Sequence, residues 1–200
     1  MGKAIGFSLC AIALAIGAIC WVAGTSGRAA DRDQHGKTKA QAGQLGPVAS
    51  EDGISVYFSP NGGCTEAIIH QIQSAKTSVY VQAAQFTSAP IAKALVAAKA
   101  RGIDVRVILD GRKDDSDHSQ VDRLVDGVVP TFADEKHHTA HNKVILIDHH
   151  LLFTGSFNFT RESESENAEN LLCIDNKPTL FAAYEANFKE HLGHSTPYAK

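Results

Sequence analysis

The chain has 200 residues, 44% of them hydrophobic and 20% charged. That is enough apolar content for one cored domain and too much for a wholly disordered chain. The formal net charge is −3, and setting aside residues 1–30 removes Lys3 and Arg28 but none of the 22 acidic residues, taking the net to −5. This balance excludes a domain that grips polyanions through a broadly basic surface, so any such contact must rest on local charge.

Residues 1–30 read as a targeting segment. After Lys3, an apolar run from Ala4 to Gly24 has no polar face, which argues against a buried soluble helix. A short basic start, an apolar stretch and the small residues of Gly27-Arg28-Ala29 make an export signal. The run is also near the length of a membrane span, so cleavage as a signal peptide and retention as an anchor through residues 4–24 both stay open. Residues 31–53, rich in Gly, Gln, Lys, Asp and Ala, read as a linker. The remainder, 54–200, is the expected catalytic domain.

Within it, Ile54–Phe58 reads as a strand and Ser59–Gly63 as a loop. Thr65–Ala75 reads as a helix with Ile68, Ile69, Ile72 and Ala75 on one stripe. Thr77–Ala83 is a strand. Ser88 caps a second helix, with Pro90 in its first turn and Ile91, Leu95 and Ala98 on one side. Ile103–Leu109 is a strand, 111–118 a charged loop containing Arg112-Lys113-Asp114-Asp115, and Ser119–Asp126 a short helix. Further strands are expected at Val128–Phe132, His141–Ile147, Leu151–Thr154 and Glu169–Ile174, with Arg161–Glu166 as a flexible acidic loop and Thr179–His191 as a closing helix. Strands alternating with helices predict an α/β fold, a mixed sheet flanked by helices on both faces. Of the four cysteines, Cys10 and Cys20 fall in the apolar run. Cys64 and Cys173 fall in the domain, where a disulfide and two buried free thiols are both open.

Chemistry concentrates after residue 140. On a strand starting at His141, His141 and Lys143 share a face, while Asp148 has the opposite parity. An imidazole beside a cation on a rigid apolar strand suits an anionic group. The following strand ends in Gly155-Ser156-Phe157-Asn158. Its glycine permits close approach, and its hydroxyl and carboxamide can donate to phosphate oxygens. If Asp148–His150 turn the chain into a hairpin, both polar pairs meet at one sheet edge. Glu169 then opens a further strand.

The spacing His141-x-Lys143-x4-Asp148-x6-Gly155-Ser156-x-Asn158 resembles the HxKx4Dx6GSxN signature of the phospholipase D superfamily at every defined position. The chain is particularly similar to the short, single-motif bacterial endonucleases of that superfamily, with Phe58-Ser59-Pro60, Ala94–Lys99, Gly155–Thr160 and Glu169-Asn170 adding to the likeness. The cysteine/histidine zinc element of a related mitochondrial branch is not found. The resemblance implies a two-step displacement at phosphorus. His141 would be the nucleophile and a second histidine the acid and base. Lys143 and Asn158 would hold the phosphate oxygens, and Ser156 would add a hydrogen bond. Glu169 would orient His141, while Asp148 and Gly155 would support the site. One motif per chain implies a homodimer, with both His141 residues at the twofold axis.

His137 and His141 have a spacing seen among zinc ligands, but no cysteine or carboxylate set accompanies them at convincing spacing, and the family's chemistry uses no metal. No metal and no cofactor is therefore expected. His149 and His150, at the turn, add local charge when protonated. The function expected is an exported, periplasmic or extracellular endonuclease acting on DNA and also open to RNA. A phospholipid phosphodiesterase at a membrane surface and a catalytically silent nucleic-acid-binding module are the alternatives.

Overall fold

The structure is a computed structural model that describes residues 46–111 and 119–198, all within the compact unit Gln41–Lys200. Residues 1–45, with Cys10, Cys20 and the targeting segment, and residues 112–118, with Arg112 to Asp115, lie outside the described residues.

Among the described residues, nine strands form one sheet: β1 (Ala49–Glu51), β2 (Ile54–Phe58), β3 (Ser78–Ala83), β4 (Asp104–Asp110), β5 (Thr131–Asp134), β6 (Lys143–Ile147), β7 (Leu151–Gly155), β8 (Asn170–Asp175) and β9 (Thr196–Pro197). Their spatial order is β1-β2-β8-β7-β6-β3-β4-β5-β9. Only β3–β4 and β4–β5 run parallel, and every other pair is antiparallel. The helices are α1 (Cys64–Ser74), α2 (Ala89–Ala100), α3 (Val121–Asp126), α4 (Arg161–Ser165) and α5 (Pro178–His194).

The strand alternation sorts side chains into two cores. Val79, Val81, Val105, Val107, Ile145 and Phe153 pack with Ile68 and Ile72 of α1, Ile91 and Leu95 of α2, and Leu124 of α3. On the opposite face, Ile108, Val144, Leu146, Leu152 and Ile174 pack with Phe181 and Phe188 of α5. Tyr80 stacks on Phe188 with ring centroids 5.1 Å apart. Burying a ring such as Phe188 contributes roughly 1.5–3 kcal/mol. The mixed sheet with helices on both faces is the architecture expected from the alternation of elements.

Ser88 caps α2 as its sequence suggests, its hydroxyl accepting from the Ile91 amide. The other end of α2 is tied to α1, because the Arg101 guanidinium donates to the Ile72 carbonyl at 3.0 Å.

Four local expectations shift. The strand expected at 128–132 begins at Thr131, because Val128 and Val129 close α3 through bonds to Val125 and Leu124, with Val128 at φ 57° and exposed. Ala49–Glu51, assigned to the linker, instead pair with β2 as an edge strand. Arg161–Ser165 is a helix and not a flexible loop. Thr160 caps it, and the Glu164 carboxylate accepts from the Gly63 and Thr65 amides at 3.0 and 2.7 Å. Glu164 thereby caps α1, whose own N-cap, Gly63, has no side chain to offer. Helix α5 starts one residue before its expected Thr179 and runs on to His194.

Cys64 and Cys173 are both free and buried. Burial first, and then the nearby Glu164 charge, push the Cys64 thiol up to about 12; burial and Asp175 push Cys173 up to about 11. Among the described residues no helix is long and apolar enough to cross a membrane.

Candidate active site

The signature residues converge because β6, β7 and β8 form a continuous antiparallel meander. Register pairs Ala83 with Lys143, Val144 with Thr154, and Gly155 with Leu171. The start of β6, the end of β7 and the start of β8 therefore share one sheet edge.

His141 lies before the strand and not on it, since β6 opens at Lys143. The bond from the Ala84 amide to the Asn142 carbonyl still guides this lead-in along β3. His141 is exposed, whereas Lys143 is only 8% exposed. The Lys143 ammonium donates to the His141 carbonyl oxygen at 3.1 Å. A buried ammonium is costly unless it meets oxygens, and the His141 carbonyl supplies one.

At the end of β7, Gly155 has φ 154°, and a Cβ there would meet the Asn170 carbonyl oxygen at 2.3 Å. Glycine is required for that approach. Next to it, the Ser156 and Phe157 amides both donate to the same Asn170 oxygen. Phe157 and Phe159 are buried anchors on either side of Asn158. The backbone of this segment is tied to α2 through the Thr87 and Ser88 amides, which donate to the Phe159 carbonyl. Asn158 Oδ1 is buried without a hydrogen-bond partner among the described residues.

The Ser156 hydroxyl donates to Glu169 Oε2 at 2.5 Å and accepts from the Asn170 amide and carboxamide at 3.1 and 3.2 Å. Glu169 Oε1 accepts from the Asn167 carboxamide at 3.3 Å. Ser59, from the loop after β2, donates to the Asn167 carbonyl and accepts from the Glu169 amide. Asn170, Asn167 and Ser59 thus belong to this network. Sequence reasoning gave them no role, since the contacts joining Ser59 to Asn167 and Glu169 cross more than a hundred positions.

Asp148 lies in the β6–β7 turn at φ 52°, followed by His149 at φ 62°. Its carboxylate points away from the sheet edge that holds Lys143. It accepts from the amides of Lys76, Thr77 and Ser78 and from the Thr77 hydroxyl, at 2.7 to 3.0 Å. Burial alone would raise its pKa, but the amides of Ser78, Thr77 and Lys76 hold it below the ordinary carboxylate value. His149 and His150 are exposed, facing Glu185 and Asp175 respectively.

His137 is grouped with Asp134, His191 and His194, and not with His141 as its spacing suggested. The carboxylate partner that the sequence did not reveal is Asp134, at the end of β5.

Comparison with known proteins gives this geometry its family. Residues 68–192 match the family model described as cardiolipin synthase, PLD-like domain. The chain belongs to the phospholipase D superfamily. Its fold is similar to that of Nuc from Salmonella typhimurium, a phospholipase D family member. That match has TM-score 0.71 and 34% identity, covering 74% of this chain and 98% of that one. NucT from Helicobacter pylori shares the fold, with TM-score 0.67 and 22% identity over 72% of this chain and 98% of that one. A phospholipase D from Rickettsia conorii is 39% identical over 128 residues, 64% of each chain. A mitochondrial cardiolipin hydrolase from Xenopus tropicalis is 30% identical over 104 residues, 52% of this chain and 49% of that one. The phospholipase D superfamily chain thus spans under two thirds of the length of these curated relatives. The single-motif branch to which Nuc belongs is consistent with the single signature here.

Proposed function

We propose that this chain is a phosphodiesterase, and specifically an endonuclease with little sequence preference, acting through a phosphohistidine in a site shared by two copies. The observation that carries this reading is an exposed His141 whose backbone carbonyl holds the buried Lys143 ammonium, at the sheet edge that also holds Ser156 and Asn158. An imidazole nitrogen of His141 attacks phosphorus, and the bond from phosphorus to the leaving oxygen breaks. His141 of the partner subunit gives that oxygen its proton. It then takes a proton from water, which attacks the phosphohistidine and releases His141 and the phosphate product. Lys143 and the Asn158 carboxamide hold the non-bridging oxygens as charge builds in the transition state. Ser156 and Glu169 fix the approach of the β7 and β8 ends, with Glu169 also orienting His141, and Gly155 and Asp148 support the backbone. No step requires a metal or cofactor.

Similarity to Nuc supports the nuclease. The relatives named phospholipase D and cardiolipin hydrolase, with the acidic net charge, favour a second reading, in which the same chemistry acts on a phospholipid headgroup. The apolar run at residues 4–24 supports export to the periplasm or beyond, with or without a tether.

Digestion of plasmid DNA and of phospholipid vesicles by one preparation in excess EDTA, beside His141→Ala, separates the two. Plasmid cleavage that the variant loses supports the nuclease. Turnover of lipid alone moves the assignment to the lipid enzyme. No turnover of either substrate, with EDTA or without it, rejects both.

A further inference from the structure

Four ligand-type side chains outside the signature meet where the last turn of α5 crosses the end of β5. Asp134 and His137 lie three residues apart at the strand end, and His191 and His194 lie three apart on the helix, which puts those two on one helical face. The Asp134 carboxylate is fully buried, and His191 is 9% exposed. Around Asp134 Oδ2 stand His191 Nδ1 at 2.6 Å, His137 Nδ1 at 3.1 Å and His194 Nε2 at 3.3 Å. The three rings form a near-equilateral triangle, with centroids 4.9, 5.3 and 5.2 Å apart.

Hydrogen bonding can satisfy this cluster only in one protonation pattern. The carboxylate has about four lone-pair sites, and four donors face it: the Lys136 amide and His137 Nδ1 at Oδ1, and His191 Nδ1 and His194 Nε2 at Oδ2. Each of the three rings must then carry its proton on the nitrogen that faces Asp134. A cation reverses the roles, because each imidazole then offers a lone pair and the carboxylate offers an oxygen. One ligand atom from each of the four residues can be chosen so that all lie within 4.8 Å of one another. A tetrahedral zinc ion with bonds of about 2.0–2.1 Å sets its ligand atoms about 3.3–3.4 Å apart. Small side-chain rotations close that difference.

We propose that Asp134, His137, His191 and His194 bind one zinc-type divalent cation as a structural clamp. Three nitrogens and one oxygen suit zinc and its borderline neighbours over magnesium or calcium, which prefer oxygen sets. Four protein ligands leave no open position of the kind a catalytic zinc keeps. The clamp joins two elements distant in sequence: β5, and the end of α5 with the β9 strand that follows and pairs with β5. It also fixes His137, four positions before His141, at the start of the segment that carries the nucleophile. Strand order places β5 three strand spacings from β6, or about 14 Å, so the cation stands clear of the signature site.

The test uses untagged full-length protein stripped with chelator, dialysed, and titrated with zinc alone, and with cobalt as a spectroscopic probe. The expected result is one equivalent bound per chain, a tetrahedral cobalt spectrum in the visible, and a melting temperature that rises with zinc. His137→Ala and His194→Ala, each checked for folding by circular dichroism, should lose about 100-fold or more in zinc affinity, and with it the melting shift. The double variant His149→Ala/His150→Ala should bind as the parent does. Absence of stoichiometric binding overturns the proposal. So does binding that survives in both ligand variants, or that disappears with His149 and His150.

Discussion

The Lys143 ammonium donates to the carbonyl of His141, two residues before it, so the cation of the site is held by the backbone that presents the imidazole. Cation and imidazole are therefore positioned as one unit, and substitutions at either should act on turnover more than on binding. His141→Ala should lower kcat by at least ~1,000-fold, as loss of a nucleophile does. Lys143→Ala should cost ~100- to 1,000-fold in kcat, the scale seen for loss of one donor to a developing oxyanion. Cleavage assays on the purified protein would check both.

Asp148 links stability to pH. Its folded-state pKa lies below the unfolded value because three amides stabilise the carboxylate against the cost of burial. Its contribution is therefore fully present above the unfolded pKa of about 3.9, and is lost as pH falls toward the folded value. Asp148→Asn should destabilise the domain by ~1.5–3 kcal/mol at pH 7, the worth of charge-assisted bonds. The gap between variant and parent should narrow as pH drops below about 4. Urea unfolding at pH 7 and at acid pH measures the two differences.

Glu164 caps a helix that lies about a hundred positions away in sequence. Replacing it with alanine leaves the first amides of α1 unsatisfied and should cost about 1 kcal/mol. In a domain of this size that corresponds to a melting temperature lower by about 2–4 °C. Calorimetry would detect it, and Glu164→Gln, which keeps an acceptor oxygen, should recover part of the loss.

The thiols of Cys64 and Cys173 are buried and raised to about 12 and 11, so neither forms the reactive thiolate at neutral pH. In a Cys10→Ser/Cys20→Ser background, a thiol reagent should label nothing in the native protein and two groups in denaturant. Labelling of none after unfolding would mean that the two are joined by a disulfide.

The signature was legible because its parts lie close in sequence. His141, Lys143, Ser156 and Asn158 sit on two strands joined by a tight turn, and Val144–Ile147 announced the strand that carries them. The start of β6 was misjudged by two residues, since alternation cannot tell a paired strand from an extended approach to one. Glu164 read as a loop acid because its partners, Gly63 and Thr65, belong to the start of a helix distant in sequence. Asp134 lies 57 positions from His191, so neither local spacing nor composition could join them. The start of β5 was obscured as well, because Val128 and Val129 have strand-like side chains but serve as the closing turn of α3.

The sheet order has a consequence for labelling this protein. Strand β1 and strand β9 occupy opposite margins of the nine-stranded sheet, eight spacings or about 38 Å apart. Probes placed at Ser50 and Thr196 would therefore report across the whole width of the sheet, and detachment of either margin strand would change the distance between them.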